Sequence, residues 1–130
     1  MQSDGAAAST ILRGLADFAV IGADRIARNA DTANKIGSVG VALACAAAGI
    51  PFVVAAPSST VDLATDSGAD IEIELRAGDE VTHWSGVQTT PGDARGFNPA
   101  FDVTPAAYIS AVVTELGVVE PARGDTVESI

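Results

Sequence analysis

The chain has 130 residues, enough for one domain that buries roughly two thirds of its unfolded surface. Seven Lys and Arg stand against 17 Asp and Glu, a formal net charge of −10. That balance argues against a partner that needs a basic patch, nucleic acid or an anionic membrane surface, but leaves room for a small phosphate held by one or two local cations. The apolar fraction is 48% with only 5% aromatic, a composition of Ala, Val and Ile suited to thin helices packed closely on a sheet. No apolar run approaches the roughly 20 residues of a membrane span. The start, Met1-Gln2-Ser3-Asp4, has no basic region of the kind that opens a signal peptide. The single cysteine, Cys45, excludes an internal disulfide and offers no metal-ligand spacing. A cytoplasmic protein is expected.

In chain order, residues 6–15 read as a short helix ending near Gly14. Residues 17–22 (DFAVIG) read as a buried parallel strand closed by the turn Gly22-Ala23-Asp24. A helix over 32–48 follows, with Asp31 as N-cap and Gly49 as its stop. Residues 51–57, bracketed by Pro51 and Pro57, read as a second buried strand. Strand, helix and strand make one right-handed βαβ unit. The alternation in Ile71-Glu72-Ile73-Glu74-Leu75 suggests an edge strand with one wet face. Residues 78–101 read as turns with one short strand near 85–89. Thr104-Pro105 has the form of a helix start, and that helix should run to about Glu115 before Gly117. The expected organisation is a partial domain over 1–120 and a frayed tail over 121–130. A doubly wound sheet usually has five or six strands. Two good parallel strands and one or two others therefore suggest the second half of a larger α/β domain.

Few residues can carry chemistry. Asp24 lies just past the carboxyl end of the first strand, the edge where open α/β sheets bind ligands. A carboxyl group there can serve as general acid or base if it is partly removed from water; the alternative is a turn cap or an ion pair with Arg25 or Arg28. Asn34 and Lys35 fall in the first turn expected for the 32–48 helix, where free N–H groups favour an anion. A lysine is mildly unfavourable there for the helix alone. An anionic ligand would reverse that sign; otherwise Lys35 is an exposed, hydrated cation. Gly37 and Gly40 lack the pattern of a nucleotide loop and suit close helix packing. Cys45 sits mid-helix among Leu43, Ala44, Ala46 and Ala47, with no cation to activate it. His83, the only histidine, stands beside Trp84 and reads as a surface or packing residue. Asn98-Pro99-Ala100-Phe101-Asp102 reads as a rigid turn pinned by Phe97 and Phe101.

Five ordered blocks carry a resemblance. They are Gly22-Ala23-Asp24-Arg25-Ile26; Asp31-Thr32-Ala33-Asn34-Lys35-Ile36-Gly37; Ile50 to Pro57; Asn98 to Pro105; and Thr114-Glu115-Leu116-Gly117. Together they resemble the C-terminal part of the methylthioribose-1-phosphate isomerase family over about Ser3 to Val119. The wider superfamily includes ribose-1,5-bisphosphate isomerase and the regulatory subunits of translation initiation factor two-B, in which the first two blocks recur. The resemblance implies an α/β, Rossmann-like parallel sheet with helices on both faces, here incomplete. It also implies conversion of an aldose 1-phosphate to a 1-phosphoketose in methionine salvage, without metal or organic cofactor, by a homodimer. Asp24 takes the place of the family's catalytic aspartate, and Asn34 and Lys35 that of its substrate-contacting pair.

The chain also departs from the family pattern. The upstream Cys-Asn motif with the catalytic cysteine is absent, and Cys45 is not its equivalent. The phosphate-gripping arginines and the first strands are absent too, and Ala30 replaces a usual glycine. The resemblance thus implies half a site, inactive alone. The alternatives are a non-catalytic regulatory module like the initiation-factor relatives, a ribose-1,5-bisphosphate isomerase piece, or a remnant without activity.

Overall fold

The computed structural model describes all residues, 1–130. Its elements in chain order are α1 (Ala7–Leu12), entered through a 3-10 turn over Asp4–Ala6; β1 (Ala19–Ile21), β2 (Arg25–Ala27) and β3 (Thr32–Lys35); α2 (Ser38–Ala48) and β4 (Phe52–Ala55); β5 (Val61–Asp62); the single-turn α3 (Asp79–Thr82); β6 (His83–Trp84) and β7 (Val87–Gln88); β8 (Phe101–Thr104), β9 (Ala111–Val113) and β10 (Val118–Val119). They form two four-stranded sheets and one hairpin. The first sheet has the order β1-β4-β9-β10, and the second β5-β2-β3-β8; β6 pairs with β7. In the first sheet β1, β4 and β9 run parallel and β10 is antiparallel to β9.

The expected βαβ unit is present: β1 and β4 pair in parallel through Ala19–Phe52 to Ile21–Val54, and α2 packs on both. Val53 and Val54 lie in the central strand, since β4 is flanked by β1 and β9. The core gathers Ile11 of α1, Ala42, Ala44 and Cys45 of α2, Phe52 and Val54 of β4, and Ile109, Val112 and Val119 beyond. Small residues along one face of α2 let the helix sit close to the sheet, as the alanine-rich composition implied. α2 ends on Gly49 with φ +69°, where the Ile50 N–H donates to Cys45 O at 3.0 Å and the Gly49 N–H to Ala46 O at 3.3 Å. This paired closure satisfies two carbonyls at the helix end.

Four expectations are corrected. Residues 32–35 are not helix: they form β3, hydrogen-bonded between β2 and β8, and the helix begins only at Ser38. Asp31 is therefore no N-cap. Its carboxylate accepts from Gly68 N at 2.9 Å, Ala106 N at 2.8 Å and Asn29 Nδ2 at 2.9 Å. Residues 71–75 form no strand; only a single bridge joins Leu75 to Pro99. The helix expected over 104–115 is replaced by β8, a 3-10 turn over Ala106–Tyr108 and β9. Pro105 begins that short turn, and the β-branched Val112 and Val113 then pair with β4, which outweighs the Thr-Pro start signal. The segment beyond Pro121, expected to fray, forms two 3-10 turns, and Val127 is fully buried.

The β2–β3 turn holds Ala30 at φ +70° with its methyl buried. A left-handed backbone of this kind favours glycine, the residue that the family resemblance leads one to expect here.

Burial alone would raise the Asp31 pKa, but the hydrogen bonds from Ala106, Asn29 and Gly68 overcome it and hold the carboxyl below its ordinary value. A depressed folded-state pKa contributes stability above the unfolded pKa and loses it as pH falls through the folded one. Asp31→Ala should therefore cost about 2–4 kcal/mol near neutral pH, because two backbone N–H groups lose a charged acceptor. Urea unfolding at pH 7 and at successively more acid pH checks both parts: the difference between variant and parent shrinks as the pH falls through the lowered folded-state pKa of Asp31 and its carboxyl takes up a proton.

Candidate active site

The parallel strands end on one edge of the first sheet. β1 leads into Gly22-Ala23-Asp24, β4 into Pro57-Ser58-Ser59, and β9 into Thr114-Glu115. Asp24 lies at this edge, as the sequence places it, with its N–H on Ala33 O at 2.9 Å. It lines a shallow depression of about 340 Å³ with Arg25, Ser59, Thr60, Val61 and Asp62. Glu115 reaches across from β9 to β4: it accepts the Ser58 N–H at 2.8 Å and the Ser58 hydroxyl. Those Ser58 hydrogen bonds hold the Glu115 carboxyl below its ordinary pKa.

The neighbouring cations are committed elsewhere. Arg25 pairs with Asp62 at 2.9 Å. Arg28 donates to Leu63 O and faces Asp66 at 3.7 Å and Glu128 at 3.5 Å. The turn cap and the arginine pairs weighed for Asp24 are thus not made; its exposed side chain takes part in none of the ion pairs or side-chain hydrogen bonds.

Asn34 and Lys35 stand on β3, not in a helix. The β2–β3 register pairs Arg25 with Ala33 and Ile26 with Thr32. The Asp24 N–H also donates to Ala33 O, so the pairing shifts at Asp24 and the register does not set Asp24 opposite Asn34. Asn34 is half-buried and donates through Nδ2 to Ser38 Oγ at 3.1 Å; that hydroxyl donates to Lys35 O at 2.7 Å. Lys35 is exposed and lies on another depression. It lines a cleft of about 530 Å³ beside Ile21, Ile36, Gly37, Ser38 and the turn around Asp4, while Asp24 lies outside that cleft. Lys35 makes no salt bridge. Its charge reaches Glu80, whose carboxyl is held low first by the Arg76 hydrogen bond and to a lesser degree by Lys35.

The start of α2 also differs from the expectation of a free anion site. Asp102 of β8 accepts the Gly37 N–H at 2.7 Å and the Val39 N–H at 3.2 Å. A carboxylate of the chain therefore occupies the position that the dipole prepares for an anion. Gly37, at φ +104°, makes the bend that turns β3 into α2. Sequence reasoning treated Asp102 only as part of a rigid turn. Its capping role is invisible in sequence because 63 residues separate it from Val39; the strand register Asn34–Asp102 creates it. Cys45 is buried, and burial pushes its thiol pKa up, which fits an inert residue. His83 Nδ1 is 2.9 Å from Thr82 Oγ1, within the β6–β7 hairpin region. No group of three or more His, Cys, Asp or Glu side chains is gathered in the way a metal requires, and no helix is long and apolar enough to cross a membrane.

The model of the Initiation factor 2 subunit family matches residues 3–121. A protein of Geobacillus thermodenitrificans named methylthioribose-1-phosphate isomerase is 56% identical over 117 residues, 90% of this chain and 33% of that protein. The crystal structure of 5-methylthioribose 1-phosphate isomerase from Pyrococcus horikoshii superposes with a TM-score of 0.86 at 44% identity, covering 92% of this chain and 33% of that one. The structure named translation initiation factor eIF-2B, subunit delta, from A. fulgidus gives a TM-score of 0.87 at 35% identity, covering 98% of this chain and 37% of that one. The chain spans about a third of the length of these relatives.

Removal of the Asp102 carboxylate tests the cap. Asp102→Ala should lower stability by about 1–2 kcal/mol, the usual cost of losing a helix cap. Asp102→Asn, which keeps one acceptor oxygen, should cost less. Thermal unfolding monitored by circular dichroism checks the order.

Proposed function

The chain belongs to the Initiation factor 2 subunit family, and from that premise we propose that it is the C-terminal third of a methylthioribose-1-phosphate isomerase. In this reading Asp24 moves protons during the aldose-to-ketose conversion, and Asn34 and Lys35 hold the substrate. One observation carries it. Asp24 is left unpaired at the carboxyl edge of the sheet, while Arg25 and Arg28 are bound to other acceptors. A carboxylate needed only for structure would be expected to take one of those partners.

Each residue has a task that its setting suits. Asp24 exchanges a proton with the sugar as ring opening and the transfer between C1 and C2 require. A carboxyl group gains the raised pKa of an acid catalyst when it is taken out of water. Asp24 is exposed in this chain, so its cover comes from the two thirds of the protein that the relatives have beyond these residues. Asn34 is oriented by Ser38 and offers its amide to a sugar hydroxyl. Lys35 brings a positive charge without a salt-bridge partner, matched to an anionic phosphate. Asp102 leaves little capacity for that phosphate at the start of α2, so the side chain of Lys35 carries the electrostatic part. The whole protein acts as a homodimer in this reading, and no cofactor enters.

The test joins this chain to the missing part of the Geobacillus relative, in place of the region it matches. The hybrid should isomerise methylthioribose 1-phosphate. Asp24→Asn in the hybrid should lower the rate by about 10²–10⁴-fold with folding intact. Lys35→Ala should act mainly on KM, with a loss of about 1.5–3 kcal/mol of substrate binding. The 130 residues alone should show no turnover. Full activity of the Asp24→Asn hybrid would remove the catalytic assignment.

A further inference from the structure

We propose that the hydroxyls of Ser59 and Thr60 hold the C3 hydroxyl of the sugar beside Asp24, and that Glu115 is the positioning residue that fixes them there. This rests on the reading of the chain as part of an aldose–ketose isomerase and names specificity-determining residues for that reaction.

The depression that Asp24 shares has six lining residues, of which Val61 alone is apolar. Arg25 and Asp62 are spent on each other at 2.9 Å. The polar groups left are the Asp24 carboxylate and the hydroxyls of Ser59 and Thr60. The side-chain hydrogen bonds of this turn and of the segment after it are those of Ser58, Asp62 and Thr65; the Ser59 and Thr60 hydroxyls make none. Each can therefore both donate to a ligand and accept from it.

Ser59 and Thr60 sit in the 3-10 turn Ser58–Thr60 between β4 and β5, and that turn is held at both ends. In front, both carboxylate oxygens of Glu115 are used on Ser58, one on its N–H at 2.8 Å and the other on its hydroxyl. Behind, Val61 pairs with Ile26 and Asp62 with Ala27 in the β2–β5 ladder. Within the turn the Thr60 N–H donates to Pro57 O at 2.9 Å. Both hydroxyls thus stand on a backbone that is fixed before any ligand arrives, which lowers the ordering cost of binding.

Neutral hydroxyls suit a sugar placed against a carboxyl that moves protons. During the conversion the C2 hydroxyl becomes the ketone, and C3 carries the adjacent hydroxyl that does not react. A group that grips C3 can hold the sugar throughout. A free cation in the same place would favour the ionised form of Asp24 and weaken it as an acid. Ser59 and Thr60 orient the sugar without that effect.

The hybrid described above tests this through KM and kcat read separately. Thr60→Val exchanges the hydroxyl for a methyl of similar shape, and Ser59→Ala deletes it. Neither hydroxyl is bonded within the chain, so both variants should melt within a few degrees of the parent. Each should raise KM for methylthioribose 1-phosphate about 3- to 10-fold, the effect of one neutral hydrogen bond, with kcat within about twofold of the parent. The 3-deoxy analogue, measured as a competitor, separates contact from general disturbance. The parent hybrid should bind it more weakly than the substrate, and the Ser59→Ala, Thr60→Val double variant should bind the two nearly alike. Glu115→Ala should raise KM in the same direction, and Glu115→Gln, which keeps an acceptor for Ser58, should restore most of the loss. An active hybrid whose KM is unmoved by Ser59→Ala and Thr60→Val, or by Glu115→Ala, would overturn the proposal and leave the Asp24 assignment standing. So would a double variant that still prefers the substrate by the parent's factor. A folded hybrid without turnover would sink the isomerase reading and this proposal with it.

Discussion

The arrangement depends on the Asp31 carboxylate. One side chain receives the N–H of Gly68, the N–H of Ala106 and the amide of Asn29, and so joins three segments that are distant in sequence. The second sheet needs all three, because β2 and β3 leave the Asn29–Asp31 turn, β5 lies just before Gly68, and β8 runs straight into Ala106. Space is also closed there. A Cβ on Gly68 would come 2.5 Å from Val103 and 3.0 Å from the Asp31 side chain, so only a bare backbone can approach the carboxylate. Once that junction forms, β3 is fixed between β2 and β8, and the turn into α2 starts from a rigid base.

From there the site follows by distribution of charge. An acidic chain has few cations to spare, and two of its six arginines join distant segments, Arg25 to Asp62 and Arg28 to Leu63 and its acidic neighbours, while Arg76 pairs locally with Glu80. Asp24 and Lys35 remain outside these pairs. They stand on different depressions. Asn34 is half-buried and held by Ser38, so less of its freedom remains to be lost in any contact it makes.

The sequence was most legible where local pattern and tertiary need agree. Residues 17–22 and 51–57 are apolar, β-branched and bounded by turn residues, and they became β1 and β4. Gly49 marks the end of α2 because only a left-handed residue makes that closure. Legibility failed where a local signal had a distant use. Asp31 before Thr32 has the look of an N-cap, yet its acceptors serve Gly68 and Ala106, and the residues after it extend into a strand. Thr104-Pro105 has the look of a helix start, but Val112 and Val113 gain more by pairing with β4. Ile71 to Leu75 alternates as a strand should, but it pairs only at its end, through the single bridge from Leu75 to Pro99. Asp24 was placed correctly at the strand end; that its neighbouring arginines are engaged elsewhere is a matter of three dimensions alone.

Ala30 shows how such a fold constrains its own later changes. A left-handed alanine costs roughly 1–2 kcal/mol relative to an ordinary backbone. Against that, its buried methyl contributes about 0.8 kcal/mol, and the stiffer unfolded chain about 0.4–1 kcal/mol compared with glycine. The opposing effects nearly cancel, so an alanine can drift into this turn with little penalty. The balance is the same in both directions: a return to glycine gives up the buried methyl and the stiffer loop but relieves the backbone strain. Any larger side chain meets both that strain and a closed interior. The turn is therefore a two-letter position, open to exchange between glycine and alanine and shut to the rest of the alphabet.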